Sequence, residues 1–334
     1  MVEPLNQENL DKEKDRALGC ILGAFVGDAA GAPLEFITKI TPEALDKALK
    51  MQGKGKMVVG PGKYTDDSEL AMSLCQGLVE CGTKFDANKI VKYYGMWYES
   101  PPFDIGHTTR VALCNASSHD PNAQKVYDAA QELNKMSESN GSLMRITPLA
   151  VWCRNLSIPE IIKIVPQEVA LTHSNLFAKL CATAYCIGIK YLIKEGSRER
   201  AWEEVKKYIL STNSIKMQEV YQDIENNKKI NAGVQIGWLR IGFTYAFQFL
   251  NKKYDYKTAI TEMLKEGGDT DTNAAIVGGL IGAADGLSKI PQDLLQPVIK
   301  FDGTNGIPRP DFLFISKNPN LLEKLFANSP TKLE

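Results

Sequence analysis

Residues 17–33 read ALGCILGAFVGDAAGAP, an apolar stretch punctuated by glycine. Glycine occupies every fourth position in it: Gly19, Gly23, Gly27 and Gly31. The spacing returns near the C-terminus: Gly278, Gly282 and Gly286. Residues four apart share one face of a helix, and each glycine costs a helix about 1 kcal/mol relative to alanine. A glycine row lets another helix backbone approach closely, so two tightly packed central helices are predicted, with a ligand-binding role for the glycines left open.

The rest of the chain also has helical periodicity. Apolar residues recur at spacings of three and four, and alternating β-branched stretches are nearly absent. We therefore predict an all-α protein whose residues 1–334 form a single domain, with disorder expected up to about residue 12. Residues 57–59, MVV, are the one convincing strand candidate. Helices are expected near 11–30, 42–51, 67–81, 86–99, 121–134, 143–153, 158–164, 175–194, 199–210, 215–224, 234–250, 256–266, 272–286 and 320–327.

The charge balance argues against a strongly electrostatic partner. The 39 Lys and Arg residues against 40 Asp and Glu give a net charge of -1, without the basic stripe that nucleic acid or an anionic membrane surface requires. Residues 1–16 have no apolar core typical of a secretory signal, and the apolar stretch at 17–33 contains Asp28, so it is expected to be a buried helix rather than a membrane span. A cytoplasmic monomer is expected, with a nuclear location as the alternative.

Cysteine and histidine usage argues against two further kinds of site. The seven cysteines form an odd set without Cys-x-x-Cys spacing, which disfavours a disulfide framework and a zinc ribbon, and we expect reduced core residues. His107, His119 and His173 are too far apart in sequence to suggest a helical zinc site.

Two acidic turns each precede an apolar helix. They are GKYTDDSE at 62–69 and GGDTDTN at 267–273. Helix capping explains one carboxylate in each turn, but additional carboxylates repel one another unless cations compensate them. An all-oxygen set of Asp, Thr and Glu favours a hard cation such as Mg²⁺, Mn²⁺ or Ca²⁺. An EF-hand is excluded, because Ala274 and Leu280 stand where its glycine and bidentate glutamate belong. If the turns meet, their four Asp residues would balance two divalent ions.

Three other segments are uninformative individually. They are GDAAGAPLE at 27–35, NGSLMR at 140–145 and LTH at 171–173. Asp28 is explained equally well as a helix cap and Glu35 as a surface acid. His173 is more often a structural histidine than a ligand contact, and Arg145 equally fits a buried ion pair.

Taken in order, these segments resemble the ADP-ribosylglycohydrolase family. The resemblance runs through most of the chain, and six motifs in the same order make a chance match very improbable. The motifs are DRALG at 15–19 with Gly27-Asp28 and Glu35-Phe36, YTDDS at 64–68, PFDIG at 102–106, NGSLMR at 140–145, Thr172-His173, and GGDTDT at 267–272.

This resemblance implies an all-α orthogonal multi-helix bundle with a loop-built dinuclear cleft for two Mg²⁺ or Mn²⁺ ions. The implied metal ligands are Thr65, Asp66, Asp67, Asp269, Asp271 and Thr272. The implied catalytic residues are Glu35, Asp66, Asp67 and Asp269. The implied substrate-binding residues are Gly106, His107, Asn140, Gly141, Ser142 and His173. No aromatic residue is assigned to the adenine, although Tyr64, Tyr93, Tyr94, Trp97 and Phe103 are available.

The implied activity is metal-dependent hydrolysis of ADP-ribosylated protein side chains, with ADP-ribose as product. An acid directly before the Asn-Gly segment is typical of arginine-linked hydrolases, whereas Glu138 is offset from that position. Ser137 fits the serine-linked and poly-ADP-ribose branch, and O-acetyl-ADP-ribose is a further alternative substrate. Because the rest of the chain is closer to the arginine-specific members, we expect the N-glycosidic bond to arginine.

Two other classes of protein share some of these features. Terpenoid synthases use Asp-Asp-x-x-Asp motifs and Mg²⁺ in an all-α fold, but Leu70 stands where the last acid belongs. A non-catalytic ADP-ribose-binding relative would retain the cleft without turnover, and replacing Asp66 would not alter its function.

Overall fold

The computed structural model describes residues 7–56, 58–303 and 308–333, and over these ranges it contains sixteen α-helices and no strand longer than an isolated bridge. The prediction of an all-α fold is confirmed. The helices are α1 Gln7–Gly31, α2 Pro42–Leu49, α3 Asp66–Cys81, α4 Ala87–Glu99, α5 His107–Leu113, α6 Ala123–Leu133, α7 Thr147–Trp152, α8 Ile158–Ala170, α9 Leu176–Glu195, α10 Arg198–Ser211, α11 Ile215–Glu225, α12 Leu239–Asn251, α13 Tyr256–Lys265, α14 Thr270–Asp285, α15 Gln292–Lys300 and α16 Leu321–Ala327.

Helices α1 and α14 lie antiparallel at the centre, and their glycine rows face each other. A Cβ atom on Gly23 would lie 2.5 Å from the carbonyl oxygen of Gly278, and one on Gly282 would lie 2.1 Å from the carbonyl oxygen of Gly19. Real Cβ atoms do not approach backbone so closely, so only glycine fits at this contact. The predicted close packing of two glycine-bearing helices is confirmed.

Helices α1 and α9 are long and apolar enough to cross a membrane by length and composition alone. In their most apolar windows, however, 89% and 72% of the residues respectively are buried against other helices. A helix that is apolar all round also belongs in the core of a large domain. Both helices therefore serve as core elements of this bundle.

The largest differences from the sequence prediction are two unpredicted helices and two boundaries displaced by five residues or more, while α1 and α7 begin four residues from their predicted starts. Helices α5 and α15 were not predicted, α8 extends six residues beyond the predicted end at 164, and α12 begins at Leu239 rather than near 234. Two of these differences involve a proline within a helix, since Pro166 lies inside α8 and Pro297 inside α15. A proline normally interrupts a helix, but the buried faces of both helices, which include Val169 and Val298, keep them packed.

The strand prediction at 57–59 has limited support. Val59 pairs with Lys54 in an isolated bridge, and Met57 lies outside the described residues. Helix α1 begins at Gln7, so residues 7–12 are helical, while residues 1–6 also lie outside the description.

All seven cysteines are free, and six of them are buried as expected. The expectation is wrong for Cys114, which is exposed. It follows α5 as the C-cap residue, where the chain turns at the surface.

Candidate active site

Three helix ends meet at one place in the bundle. Because α1 and α14 are antiparallel, the last residue of α1, Gly31, contacts the first turn of α14, and a Cβ on Gly31 would lie 2.4 Å from Cα of Asp271. The first turn of α3 lies beside these two helix ends, because the backbone N–H groups of Thr65 and Ser68 donate hydrogen bonds to Asp28 on α1. Helix N-termini carry partial positive charge, so the starts of α3 and α14 favour the carboxylates gathered there.

Asp28 on α1 caps a different helix, α3. Its carboxylate accepts hydrogen bonds from the backbone N–H groups of Thr65 (2.9 Å) and Ser68 (3.0 Å). It also accepts from the hydroxyls of Thr65 (2.9 Å) and Ser68 (2.5 Å). Burial raises the pKa of Asp28 to about 7, although these four donors oppose the shift. Asp28 therefore joins the two central helices to the first acidic turn.

The second acidic turn is fixed by two glycines in left-handed conformations. Gly267 and Gly268 have φ values of +70° and +79°, and a Cβ on Gly268 would lie 2.1 Å from the carbonyl oxygen of Ala232. This turn makes Asp269 the N-cap residue of α14. Asn140 Nδ2 then donates a 2.8 Å hydrogen bond to Asp269 Oδ2, which joins two separate sequence motifs.

The acidic side chains form two clusters. Carboxylate oxygens of Asp28, Asp67 and Asp271 lie within 4.8 Å of one another, as do those of Glu35, Asp104 and Asp271. Two oxygens bound to opposite sides of a Mg²⁺ ion lie about 4.2 Å apart, so each cluster has the dimensions of a divalent-cation site. Asp271 belongs to both clusters and joins them.

Two buried atoms in these clusters lack a partner in the described part of the chain. Asp67 Oδ1 and Glu35 Oε2 accept no hydrogen bond. Burial raises the pKa of Glu35 to about 8, with further contributions from the charges of Asp104 and Asp269. Burial and neighbouring carboxylates raise the pKa values of Asp67 and Asp271 well above their usual range. Unpaired oxygen ligands crowded in this way fit a hard divalent cation.

We expect the metal-free protein to lose stability as the pH rises from about 5 to about 8. The folded state holds protons on Asp28 and Glu35 up to about pH 7 and 8, whereas the unfolded chain releases them near pH 4. The unfolded state therefore binds fewer protons across this window, and the free energy of unfolding falls with pH. Thermal melts in EDTA at several pH values measure this slope, and added Mg²⁺ should reduce it by replacing the protons.

A matched pair of glutamine variants provides the control for this pH dependence. Glu35→Gln should flatten the slope in EDTA, because it removes a buried titrating group. Glu43→Gln, at an exposed glutamate of α2, should leave the slope unchanged. A wild-type melting temperature that stays constant from pH 5 to 8 in EDTA would contradict the prediction.

A cavity of about 370 Å³ opens above the acidic clusters. It brings together nine of the residues singled out in the sequence: Glu35, Asp66, Gly106, His107, Asn140, Gly141, Asp269, Asp271 and Thr272. Thr65 and Asp67 are buried and do not line it. The Thr65 hydroxyl bonds to Asp28 and to Asp67 (3.1 Å), so it supports the acidic residues from below.

Two residues expected to contact substrate do not line the cavity. Ser142 is 1% exposed and His173 is fully buried. The imidazole lies behind Gly141, where an added Cβ would approach His173 Cε1 to 3.1 Å. Arg145 forms a buried ion pair with Glu168 at 2.9 Å, in agreement with the structural alternative considered for it.

A second cavity of about 740 Å³ adjoins the first. The two share Ser139, Ile236 and Gly237, and the second also contains Trp238. The segments around Ser139 and Trp238 run side by side, because Asn140 N donates to the carbonyl oxygen of Gly237 at 3.0 Å. The cleft is therefore an elongated pair of cavities, with the acidic clusters at the first and Trp238 in the second.

Sequence reasoning missed two cleft residues as functional candidates. Asp104 belongs to the acidic clusters, and its position in the PFDIG motif was the available signal. Trp238 had no signal, because it lies outside every motif. Three of the aromatic residues considered instead are buried and hydrogen-bonded: Tyr64 to the carbonyl oxygen of Leu313, Tyr94 to Glu168 and Trp97 to Glu69.

Glu138 faces the second cavity rather than the acidic clusters. It forms an ion pair with Lys216 and accepts a 3.0 Å hydrogen bond from Trp238 Nε1. Its carboxylate therefore contacts Lys216 and Trp238 in the second cavity and is not part of the acidic clusters. The acids that face the first cavity are Glu35, Asp66, Asp104, Asp269 and Asp271.

Comparisons of sequence and structure show which known proteins this chain is similar to. The family model described as ADP-ribosylglycohydrolase matches residues 9–320. An ADP-ribosyl-[dinitrogen reductase] glycohydrolase of Rhodospirillum rubrum is 27% identical, over 84% of this chain and 90% of that protein. The ADP-ribosylarginine hydrolase Tri1 of Serratia proteamaculans is 28% identical, over 97% and 81% respectively. A solved ADP-ribosylglycohydrolase-related protein complex has a TM-score of 0.74 at 23% identity and covers 96% of this chain and 99% of its own.

Proposed function

The chain belongs to the ADP-ribosylglycohydrolase family and is an ADP-ribosylhydrolase, and from this premise we propose that it uses two divalent cations to remove ADP-ribose from modified arginine side chains. The observation that carries the proposal is the pair of acidic clusters joined by Asp271 at the floor of the cleft. Asp67 and Asp271 would hold one ion, with Asp28 lying behind them and fixed by its hydrogen bonds to α3, and Glu35, Asp104 and Asp271 would hold the other. Mg²⁺ and Mn²⁺ both suit this all-oxygen set.

Bound cations would polarise a water molecule and the ribose hydroxyls, which lowers the barrier to attack at the anomeric carbon. The protein's own groups supply the remaining chemistry. Cleavage of a ribosyl bond passes through an oxocarbenium-like state, and Asp66, which is assigned to neither ion, places a carboxylate beside it in the first cavity. Asn140 fixes one oxygen of Asp269 through its 2.8 Å hydrogen bond.

Glu35 is the residue best suited to proton transfer. It faces the first cavity, where a carboxyl group can exchange a proton with water or with a leaving group. Its Oε2 atom has no hydrogen-bond partner in the described chain, so it is available to water or to the leaving group. We assign it the transfer of a proton between the attacking water and the departing side chain.

The second cavity provides room for the adenosine part of the substrate. Trp238 offers an aromatic surface there, and its position is fixed by its hydrogen bond to Glu138 and by the guanidinium of Arg240, 5.2 Å from its ring centroid. Stacking on an aromatic ring suits a nucleobase. The ligand would then extend from Trp238 to the acidic clusters past Ser139 and Gly237.

Two observations support arginine as the modified residue. The Serratia relative is named an ADP-ribosylarginine hydrolase. A guanidinium leaving group also requires a carboxylate acceptor, and Asp66, which is assigned to neither ion, faces the first cavity, whereas Glu138 is paired with Lys216.

We expect metal-dependent release of ADP-ribose from a peptide modified on arginine. The same peptide modified on serine should release at least about tenfold less, a difference of about 1.4 kcal/mol in transition-state stabilisation. The measurement is chromatographic detection of ADP-ribose with Mg²⁺, with Mn²⁺ and with EDTA.

Each arm of this assay tests a different part of the proposal. Release that continues in EDTA would remove the role of cations. Release from the serine peptide alone would show that the enzyme cleaves the serine linkage, which Ser137 suggested, and not the arginine linkage. The absence of release from both peptides, together with retained binding of ADP-ribose, would leave a binding protein.

A further inference from the structure

A chain of buried hydrogen bonds leads from Arg145 to the cleft. Arg145 Nη2 donates to the hydroxyl of Thr172 at 2.7 Å, and that hydroxyl lies 2.7 Å from His173 Nδ1. His173 Nε2 in turn lies 2.9 Å from the hydroxyl of Ser139. Arg145, Thr172 and His173 are each fully buried, so water does not compete for these bonds.

The chemistry of the first residue fixes the direction of every bond. A guanidinium only donates hydrogen bonds, so the Thr172 oxygen accepts from Arg145. Among the described residues, the one acceptor within reach of the Thr172 proton is His173 Nδ1, so that proton points to the imidazole. The neutral imidazole then carries its proton on Nε2 and donates it to Ser139. Burial and the charge of Arg145 lower the pKa of His173 far below its usual value, in agreement with a neutral ring.

Arg145 is itself held rigidly. Its Nε donates to Glu168 Oε1 at 2.9 Å, and its Nη1 donates to the carbonyl oxygen of Gly141 at 2.9 Å. Tyr94 donates a 2.5 Å hydrogen bond to the same oxygen of Glu168. The origin of the relay is therefore constrained by α4 and α8 as well as by the Asn-Gly segment.

Ser139 is the one member of the relay that reaches the cleft. It lines both cavities at their junction and is half-buried. Because its oxygen accepts from His173, its own proton points away from the imidazole. When no ligand is present, the Ser139 hydroxyl donates to Thr108 Oγ1 at 3.1 Å, and Ser137 Oγ donates to Ser139 Oγ at 3.1 Å.

We propose that the Ser139 hydroxyl donates a hydrogen bond to an acceptor oxygen of the ligand at the junction of the cavities, and that His173 is a positioning residue that acts only through Ser139. The inference rests on the proposed function, in which ADP-ribose extends across this junction. The ligand's acceptor group is then an oxygen of its diphosphate. His173 does not touch the ligand.

A double-mutant cycle between Ser139 and Thr172 tests the relay. Thr172 lies behind His173 and cannot contact a ligand. Thr172→Val removes the hydroxyl that orients His173, so it should weaken ADP-ribose binding only because His173 and Ser139 are no longer held in one orientation. We expect Ser139→Ala and Thr172→Val each to raise the Kd for ADP-ribose roughly three- to tenfold, the range for one neutral hydrogen bond. The double variant should be no weaker than Ser139→Ala alone. Calorimetry with ADP-ribose and Mg²⁺ measures all four proteins.

Further variants separate positioning from a general loss of structure. Thr172→Ser retains the hydroxyl and should bind as the wild type does. His173→Gln, which keeps an N–H donor near the position of Nε2, should bind ADP-ribose more tightly than His173→Leu. If the Kd of the double variant rises by the product of the two single-variant factors, Ser139 and Thr172 act independently and the relay is overturned. A wild-type protein that does not bind ADP-ribose would overturn the proposed function and the inference with it, whereas wild-type binding with multiplicative effects would overturn the inference alone.

Discussion

Replacing Asp271 with asparagine should reduce kcat about a thousandfold and also make the metal-free protein more resistant to heat. Asp271 belongs to both acidic clusters, so its loss removes a ligand from each proposed ion, and loss of a central electrostatic group typically costs 10²- to 10³-fold in rate. In EDTA the effect on stability has the opposite sign. Burial and the charges of Glu35 and Asp67 raise the pKa of Asp271, so the neutral amide relieves repulsion that the carboxylate suffers.

Melting temperatures of the same variant, measured in EDTA and with Mg²⁺, test the two effects on stability. The melting temperature in EDTA at pH 8 should rise by about 2 °C or more, which corresponds to roughly 1 kcal/mol for a domain of this size. Added Mg²⁺ should raise the melting temperature of the wild type but not of the variant. Asp293→Asn, at an exposed acid in the first turn of α15, is the matched control: it should leave kcat and the response to Mg²⁺ unchanged and should not raise the melting temperature in EDTA. Retained activity in Asp271→Asn would contradict a two-cation site built on this residue.

Gly27→Ala should destabilise the protein by about 3 kcal/mol or more, or prevent folding. The new Cβ would lie 2.1 Å from the carbonyl oxygen of Ala274 on α14, and backbone cannot move aside as a side chain can. Overpacking normally costs 1–3 kcal/mol even where side chains can shift. The helix propensity gained by alanine, about 1 kcal/mol, is smaller than this cost. Urea unfolding measures the change.

Gly188→Ala provides the matched control for this substitution. Gly188 also lies inside a buried helix, α9, but its nearest neighbours are side-chain atoms of Phe247 and Val205, at 3.2 Å or more. We expect a loss of less than about 1.5 kcal/mol, because these side chains can move by a few tenths of an ångström. Equal losses in the two variants would show that the contact between α1 and α14 has no special importance.

The fold could be predicted because its determining signals are local. Apolar periodicity marks most of the helices, and the glycine rows of α1 and α14 mark the central contact. Two of the errors lie where packing overrides a local rule. A proline normally interrupts a helix, yet the buried faces of α8 and α15 keep Pro166 and Pro297 inside helices.

The site was less predictable because its geometry depends on contacts between distant residues. The acidic turns were visible in the sequence, but the cap that Asp28 provides for α3 spans 37 residues and leaves no local pattern. Trp238 is isolated in sequence, so its position in the second cavity could not be inferred. His173 was recognised, yet its burial behind Gly141 follows from tertiary packing alone.

The contact of Gly31 with Asp271 ends the row of backbone contacts between α1 and α14 beside the acidic clusters. Side chains can adopt several rotamers, and their replacement commonly shifts the helices around them, whereas a contact made by backbone alone has no rotamers to change. The separation of Asp28 from Asp271 should therefore tolerate sequence drift in the surrounding core. Random core substitutions should lower the melting temperature well before they weaken cation affinity, so the site would be inherited largely unchanged while the rest of the interior diverges.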